Sequence, residues 1–498
     1  MKHTTENKAL TLGELKKSGY QSLPVKDEIR KNLVARLKSG TPVFEGVLGY
    51  EQTVFPEVER ALLSRHNINF LGLRGQAKTR MARQLIHLLD EYIPVVEGSA
   101  INDDPLHPIS RYATDLISQK GDATPISWLH RSDRYTEKLA TPDVTVADLI
   151  GDADPIKAAN LKLDYSDERV IHFGLIPRAH RGIFVINELP DLQPRIQVAL
   201  FNILQEGDIQ IRGFKLRLPL DVMFVFTANP EDYTNRGSII TPLKDRIQSQ
   251  ILTHYPKNTE ISAAITRQEA KIATDQTGAI EIPEIVGTLI EQIAVEARSS
   301  EFIDQKSGVS ARLTISAYEN LVSTVERRML INGESTGRAR MGDLLGILPA
   351  ITGKVELVYE GEQEGAKNVA FGLLGKALRN KFAQFFPDPE LAKKRKNEPN
   401  PYQEIIAWFG KNELELLADS DVKTHHAKLM EVPGLKKLVE KYNPRLDAKD
   451  ADLMMEFVLH GLAEYSMLGK NVLEDGLAFS DLFNSVFSLD NYEDGENK

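Results

Sequence analysis

The spacing of apolar residues changes along the chain, and each change marks a different element. In residues 1–45, Leu33 and Leu37 stand among lysines and arginines at helical spacing, which predicts short amphipathic helices in an N-terminal arm. From Gly46 the pattern shifts. Residues 52–64 read as a helix, and residues 68–73 (INFLGL) as a short apolar strand ended by glycine. Further apolar runs at 182–186 (GIFVI) and 222–228 (VMFVFTA) are separated by helical stretches, so strands and helices alternate through residues 46–255. That alternation predicts an α/β core with a parallel sheet. Residues 207–218 (GDIQIRGFKLRL) alternate apolar and polar positions around Gly213, the pattern of an antiparallel hairpin inserted into that core.

Past Pro256 the period is helical. Ile285, Leu289, Ile293 and Val295, then Ala317, Leu321 and Val325, predict a helical lid over residues 256–350. Residues 351–498 read as a further, mainly helical domain. It opens with a Gly/Glu-rich loop (YEGEQEG) and a helix, passes an exposed connector at 393–401 (KKRKNEPNP), and ends near Leu482 in an acidic tail. No internal repeat is evident.

A length of 498 residues suits about three or four domains, and 42% hydrophobic with 27% charged residues is the mixture of a folded protein. The absence of cysteine removes disulfides, thiolate metal sites and thiol nucleophiles, and suits a reducing compartment. The charged start lacks the apolar core of a signal peptide, and no run is apolar enough to span a bilayer, so a soluble cytoplasmic protein without membrane insertion is expected. A net charge of −10 repels nucleic acid and anionic membrane, and nucleic acid is not an expected partner. Trp128, His130, Arg131 and Arg134 are accordingly read as a solvated loop rather than a stacking surface. The adjacent His425 and His426 point to different faces of a helix and are read as solvated rather than metal-ligating. Met454, Met455 and Met467 are expected to fill a helical core.

The candidate chemistry begins at Gly72-Leu-Arg-Gly-Gln-Ala-Lys78-Thr79, a variant of the phosphate-binding loop in which Ala77 replaces the second glycine. Gly72, Arg74, Gly75, Gln76, Ala77, Lys78, Thr79 and Arg80 form the candidate nucleotide-binding stretch. Backbone N–H groups after a strand hold phosphate, Lys78 reaches the β- and γ-phosphates, and Thr79 holds Mg²⁺. About a hundred residues on, an apolar run through Ile186 ends in Asn187 and Glu188, where an acidic side chain can orient water for attack on the γ-phosphate. The strand 222–228 leads into Asn229, whose amide can contact both phosphate and water. In Leu243-Lys244-Asp245-Arg246, Arg246 is a candidate for supplying transition-state charge to a neighbouring site.

In that order, these elements resemble AAA+ ATPases of the magnesium-chelatase and MoxR branch over roughly residues 46–350. The stretches GYEQTV, GLRGQAKT, TVADLIGDADPIKAA, HFGLIPRAHRGIFVINELPDL, NILQEGDIQIRG, TANPEDY, LKDR and GVSARLTIS carry the resemblance. It implies ATP and Mg²⁺ as cofactors, Glu188 as the water-activating carboxylate, Asn229 as sensor 1, Arg246 as the finger and Arg312 as the sensor-2 arginine of the lid. Thr79 and Asn187 would stand at the metal. Residues 151–176 and 207–218 look like that branch's pore-facing and sensor-preceding inserts. The branch usually has Asp where this chain has Asn187, which implies a slow but active ATPase. The resemblance further implies a homo-oligomeric ring, typically a hexamer, that remodels or activates a protein partner, in this branch often one with a von Willebrand factor A domain. Its alternatives are a magnesium chelatase motor subunit, or a structural ring that nucleotide controls with little hydrolysis.

Overall fold

A computed structural model describes residues 8–163, 167–211, 217–230, 238–394 and 399–482. The chain divides into two units, Met1–Tyr255 and Pro256–Lys498.

The first unit is built on a five-stranded sheet of β1 (Ile68–Leu71), β2 (Tyr135–Leu139), β3 (Gly182–Asn187), β4 (Val222–Ala228) and β5 (Ser249–Leu252), in the order β5-β1-β4-β3-β2. Every pairing is parallel; Ile68 lies opposite both Val225 and Ser249, and Val185 lies opposite Val225 and Glu137. β3 and β4 are buried at every position, as expected of central strands covered on both faces. The pleat sends successive side chains to opposite faces. Ile183 and Val185 pack with Val25, Ile29, Leu33, Val58 and Met81, while Phe184 and Ile186 pack with Ile196, Leu200 and Leu243.

The N-terminal residues are therefore part of this core. Helix Val25–Ser39 buries Val25, Ile29 and Leu33, whereas Leu37, expected on the same stripe, is exposed. The predicted helix 52–64 is Val54–Leu63. Edge strands β2 and β5, and the antiparallel pair Tyr92–Val96 with Ile126–His130, lie outside the apolar runs that predict the central strands. In the expected insert, Gly151–Ala153 pairs antiparallel with Ile171–Phe173, and in the expected hairpin Asp208–Gln210 pairs antiparallel with Arg217–Pro219. Gly213 lies outside the described residues.

The segment read as a solvated loop is largely packed. Trp128 donates its indole N–H to the Ala9 carbonyl (2.9 Å), and Arg134 is buried against Glu28. Sequence reasoning saw its charge but not its partner, which lies 106 residues earlier.

In the second unit, helices Glu284–Ser299, Arg312–Ile331, Ala366–Phe382 and Ala448–Glu464 share one apolar core whose members run from Val286 to Phe479. Residues on both sides of position 350 contribute to it. Leu289, Ile293, Ala317, Leu321 and Val325 are buried as the periodicity requires, but Val295 is exposed. Other features depart from the sequence reading. YEGEQE forms a short helix, Tyr359–Glu364, rather than a loop. The region past residue 350 is mainly helical as expected, and Leu414–Leu417, Gly476–Ser480 and Gly469–Val472 add an antiparallel sheet to it. His425 is buried while its neighbour His426 is exposed and bonds Asp452 (2.8 Å), so the helix solvates one of the pair and buries the other. Met454 and Met455 are in the core and Met467 packs against it. Among the described residues, no helix is long and apolar enough to cross a membrane, and no group of three or more His, Cys, Asp or Glu is placed to hold a metal ion.

Candidate nucleotide site

The C-terminal ends of β1, β3 and β4 converge because the three strands are neighbours in the sheet, and the crevice at such strand ends is where open α/β sheets bind ligands. β1 passes at Gly72 into a loop that turns back into helix Lys78–Gln84. Gly72 donates to the Ala228 carbonyl (3.1 Å), tying the loop's start to the end of β4. A Cβ at position 72 would overlap both Thr253 Oγ1 and Gln76 Oε1, so glycine there allows these two side chains to bond each other (2.6 Å) beneath the loop. Two tyrosines stand against the loop: Tyr255 donates to Arg74 O (3.2 Å), and the Tyr50 hydroxyl lies between the carbonyls of His254 (2.8 Å) and Gln76 (3.1 Å). Gly75 and Ala77 both have left-handed backbone, with φ of 73° and 56°. Ala77 thus adopts the conformation that favours glycine without being one, at a cost of about 1 kcal/mol.

Lys78 is buried. Its ammonium donates to the Gly72 carbonyl, to Leu73 O (2.9 Å) and to Asn229 Oδ1 (2.6 Å). The amide of Asn229 also donates to Glu188 Oε2 (2.8 Å). One side chain at the end of β4 therefore bridges the loop lysine and the carboxylate that follows β3. Glu188 itself has φ 55°, a rare conformation for a residue with a side chain. Its N–H donates to Thr227 Oγ1 (3.2 Å), which helps hold that backbone in place.

Asn187, at the end of β3, accepts at Oδ1 from Thr227 Oγ1 (3.1 Å) and, at the outer limit of a hydrogen bond, from Thr79 Oγ1 (3.5 Å). Its amide nitrogen donates to Glu137 Oε1 (2.6 Å). Glu137 is held in turn by both nitrogens of an Arg83 fork (2.8 and 2.9 Å) and by the Tyr135 hydroxyl (3.2 Å). The hydrogen bond from Arg83 keeps the Glu137 carboxyl below its ordinary range, and burial together with that carboxylate pushes the Tyr135 hydroxyl up.

Lys78, Thr79, Asn187, Glu188 and Asn229 are thus brought together. Arg246 has a different set of neighbours: it donates to Gln205 Oε1 (2.7 and 3.0 Å) and to Pro242 O (2.7 Å) and stacks over Phe201. Arg312 opens helix Arg312–Ile331 of the second unit, its N–H donating to Ser310 Oγ (3.1 Å). Sequence reasoning missed Glu137 and Arg83 and assigned no role to Thr227. Thr227 could have been found, since it immediately precedes the Ala-Asn at the end of β4. Glu137 gives no signal, because YTEKL is a half-buried edge strand without an apolar run.

The Sigma-54 interaction domain family matches residues 164–252, which include Asn187, Glu188, Asn229 and Arg246. The chain is 25% identical over 232 residues to the magnesium-chelatase 38 kDa subunit of Cereibacter sphaeroides, covering 46% of this chain and 63% of that protein. It is 24% identical over 213 residues to the same subunit of Rhodobacter capsulatus, covering 42% and 55%. The chain thus spans less than two thirds of the length of either relative. A solved assembly of subunits BchI and BchD of magnesium chelatase aligns at 17% identity over 69% of this chain and 99% of that one, with a TM-score of 0.31. The ADP complex of NtrX from Brucella abortus aligns at 14% over 76% and 69%, with a TM-score of 0.36.

The parallel sheet, the loop between β1 and its helix, and the sequence relatives together define an AAA+ P-loop protein. Within that class, the magnesium-chelatase 38 kDa subunits are the curated proteins the chain is similar to.

Proposed function

We propose that this chain binds ATP with Mg²⁺ and hydrolyses it, as the motor of a homo-oligomeric ring that remodels or activates a protein partner. The observation that carries the reading is the bridge made by Asn229, which fixes Lys78 and Glu188 relative to each other at the mouth of the loop. Thr79 Oγ1 and Asn187 Oδ1 are oxygen donors of the kind that would hold Mg²⁺, directly or through water. Bound there, Mg²⁺ would supply charge neutralisation for the phosphates. Lys78 turns from the Gly72 and Leu73 carbonyls to the phosphates, the Glu188 carboxylate orients and deprotonates the attacking water, and Asn229 keeps that carboxylate aimed. Arg246 acts on the ATP of a neighbouring subunit, and Arg312 is the candidate sensor-2 arginine.

The test is ATP turnover across a range of protein concentrations for the native chain, Glu188→Gln and Arg246→Ala. Specific activity that rises with concentration and is lost in both variants supports a site shared between subunits. ATP binding and ring formation without turnover in the native chain would replace the motor by a nucleotide-controlled structural ring. The similarity to magnesium-chelatase subunits favours one second reading, a motor for Mg²⁺ insertion into a porphyrin. Porphyrin-stimulated turnover in the presence of chelatase partner subunits would support it.

A further inference from the structure

The hydrogen-bond directions around Asn187 are set by chemistry and not by choice of rotamer. An ionised carboxylate only accepts, so Glu137 Oε1, 2.6 Å away, requires the amide nitrogen of Asn187 to face it. The opposite end, Oδ1, is thereby turned toward Thr79 and Thr227. Thr227 accepts from the Glu188 N–H and gives its own proton to Asn187. The result is a directed chain from the Glu188 backbone through Thr227 and Asn187 to Glu137, closed by the Arg83 fork and the Tyr135 hydroxyl.

Resting on the nucleotide reading above, we propose that Glu137 is a positioning residue for the metal-bound nucleotide: it orients Asn187 so that an oxygen faces Thr79, and it makes asparagine the residue that fits at 187. An aspartate there would set a second carboxylate oxygen where the amide nitrogen now stands, 2.6 Å from Glu137 Oε1. Two carboxylates at that distance repel. The Arg83 fork is already engaged by Glu137 and contributes both of its bonds there. The carboxylate of this corner stands one strand away, on β2, paired with the Arg83 fork, and meets Asn187 at its neutral amide.

The test is a four-protein cycle of the full chain: native, Asn187→Asp, Glu137→Gln and the double variant, in which the donor and acceptor of the pair are exchanged. The readouts are the Mg²⁺ concentration for half-maximal binding of a fluorescent ATP analogue and, separately, the thermal unfolding midpoint. Loss of an outer-shell partner weakens metal binding by roughly 10- to 100-fold, the range expected for each single variant. The double variant should recover most of that loss, because the amide introduced at position 137 donates to the carboxylate introduced at position 187. A purely structural pair would show coupling in the unfolding midpoint and none in the Mg²⁺ requirement, which overturns the proposal. So does an Asn187→Asp chain that binds with native Mg²⁺ dependence, or single effects that simply add. A native chain that binds no nucleotide at any Mg²⁺ concentration instead overturns the nucleotide reading itself and the proposal with it.

Discussion

Replacing Arg134 with methionine should cost the first unit about 3 to 5 kcal/mol, the cost of stripping one partner from a buried ion pair. The side chains of Arg134 and Glu28 are only 1% and 4% exposed. Their fork is two-pronged, at 2.7 and 2.6 Å, and Arg134 Nε also donates to the Arg181 carbonyl (2.8 Å). In the variant, Glu28 keeps the Asp90 N–H (2.6 Å) and loses the compensating charge. Since domain stabilities are commonly about 5 to 15 kcal/mol, this loss is a large fraction of the whole. Removing both charges, as Glu28→Leu with Arg134→Met, leaves no stranded ion. It orphans the Asp90 N–H and the Arg181 carbonyl, about 1 to 3 kcal/mol each at most, partly offset by apolar packing. The two tryptophans make the loss measurable, with Trp128 in the first unit and Trp408 in the second. Urea unfolding followed by fluorescence in a Trp408→Phe background reports the first unit alone. A single variant that loses less than about 1 kcal/mol, or a double variant no more stable than the single, would show that Glu28 is not stranded and refute the argument.

Other outcomes rest on the same geometry. Lys78→Ala removes the buried ammonium that the loop carbonyls and Asn229 share, and should abolish binding of a fluorescent ATP analogue while leaving the circular dichroism spectrum unchanged. Asn229→Asp replaces the donor 2.8 Å from Glu188 Oε2 by a like charge; turnover should fall by roughly 100-fold with nucleotide affinity changed far less, as measured by kcat against analogue binding. Asp221, whose carboxyl accepts from the Val25 N–H (2.7 Å), is pushed up to about 6, first of all by burial. A carboxyl raised in the fold contributes stability below its unfolded value that is lost as pH rises through about 6. Asp221→Asn keeps an acceptor without the charge, so in urea unfolding it should match the native stability near pH 4 and exceed it at pH 8, by up to about 3 kcal/mol. His180, held down at about 4 by burial, is present in both proteins.

The parts of this molecule that could be read from sequence are those whose signal is local. β3 and β4 are buried on both faces, so they appear as uninterrupted apolar runs, and the polar residues that end them, Asn187, Glu188 and Asn229, stand out against that background. The loop from Gly72 to Thr79 is legible because its glycine, lysine and threonine occupy fixed positions in sequence. The missed elements have no such signature. β2 and β5 are edge strands with one half-solvated side, and their composition resembles a loop. The antiparallel sheet of the second unit joins Leu414–Leu417 to Gly476–Ser480, a pairing that no local period encodes.

The same distinction explains the site's supporting residues. Glu137 reaches Asn187 across 50 positions, Glu28 reaches Arg134 across 106, and Asp221 reaches Val25 across 196. Each is a charged residue in an ordinary stretch, and each acquires its role only when the sheet order sets its strand or helix beside the partner. A carboxylate brought in from a neighbouring strand can orient a motif side chain from outside the motif, here by accepting from the Asn187 amide while the Arg83 fork balances its charge. Judging Asn187 by its own position alone predicts a weakened metal site. On the proposal made above, Glu137 beside it makes asparagine the residue that lets a carboxylate and an oxygen facing Thr79 coexist in that corner.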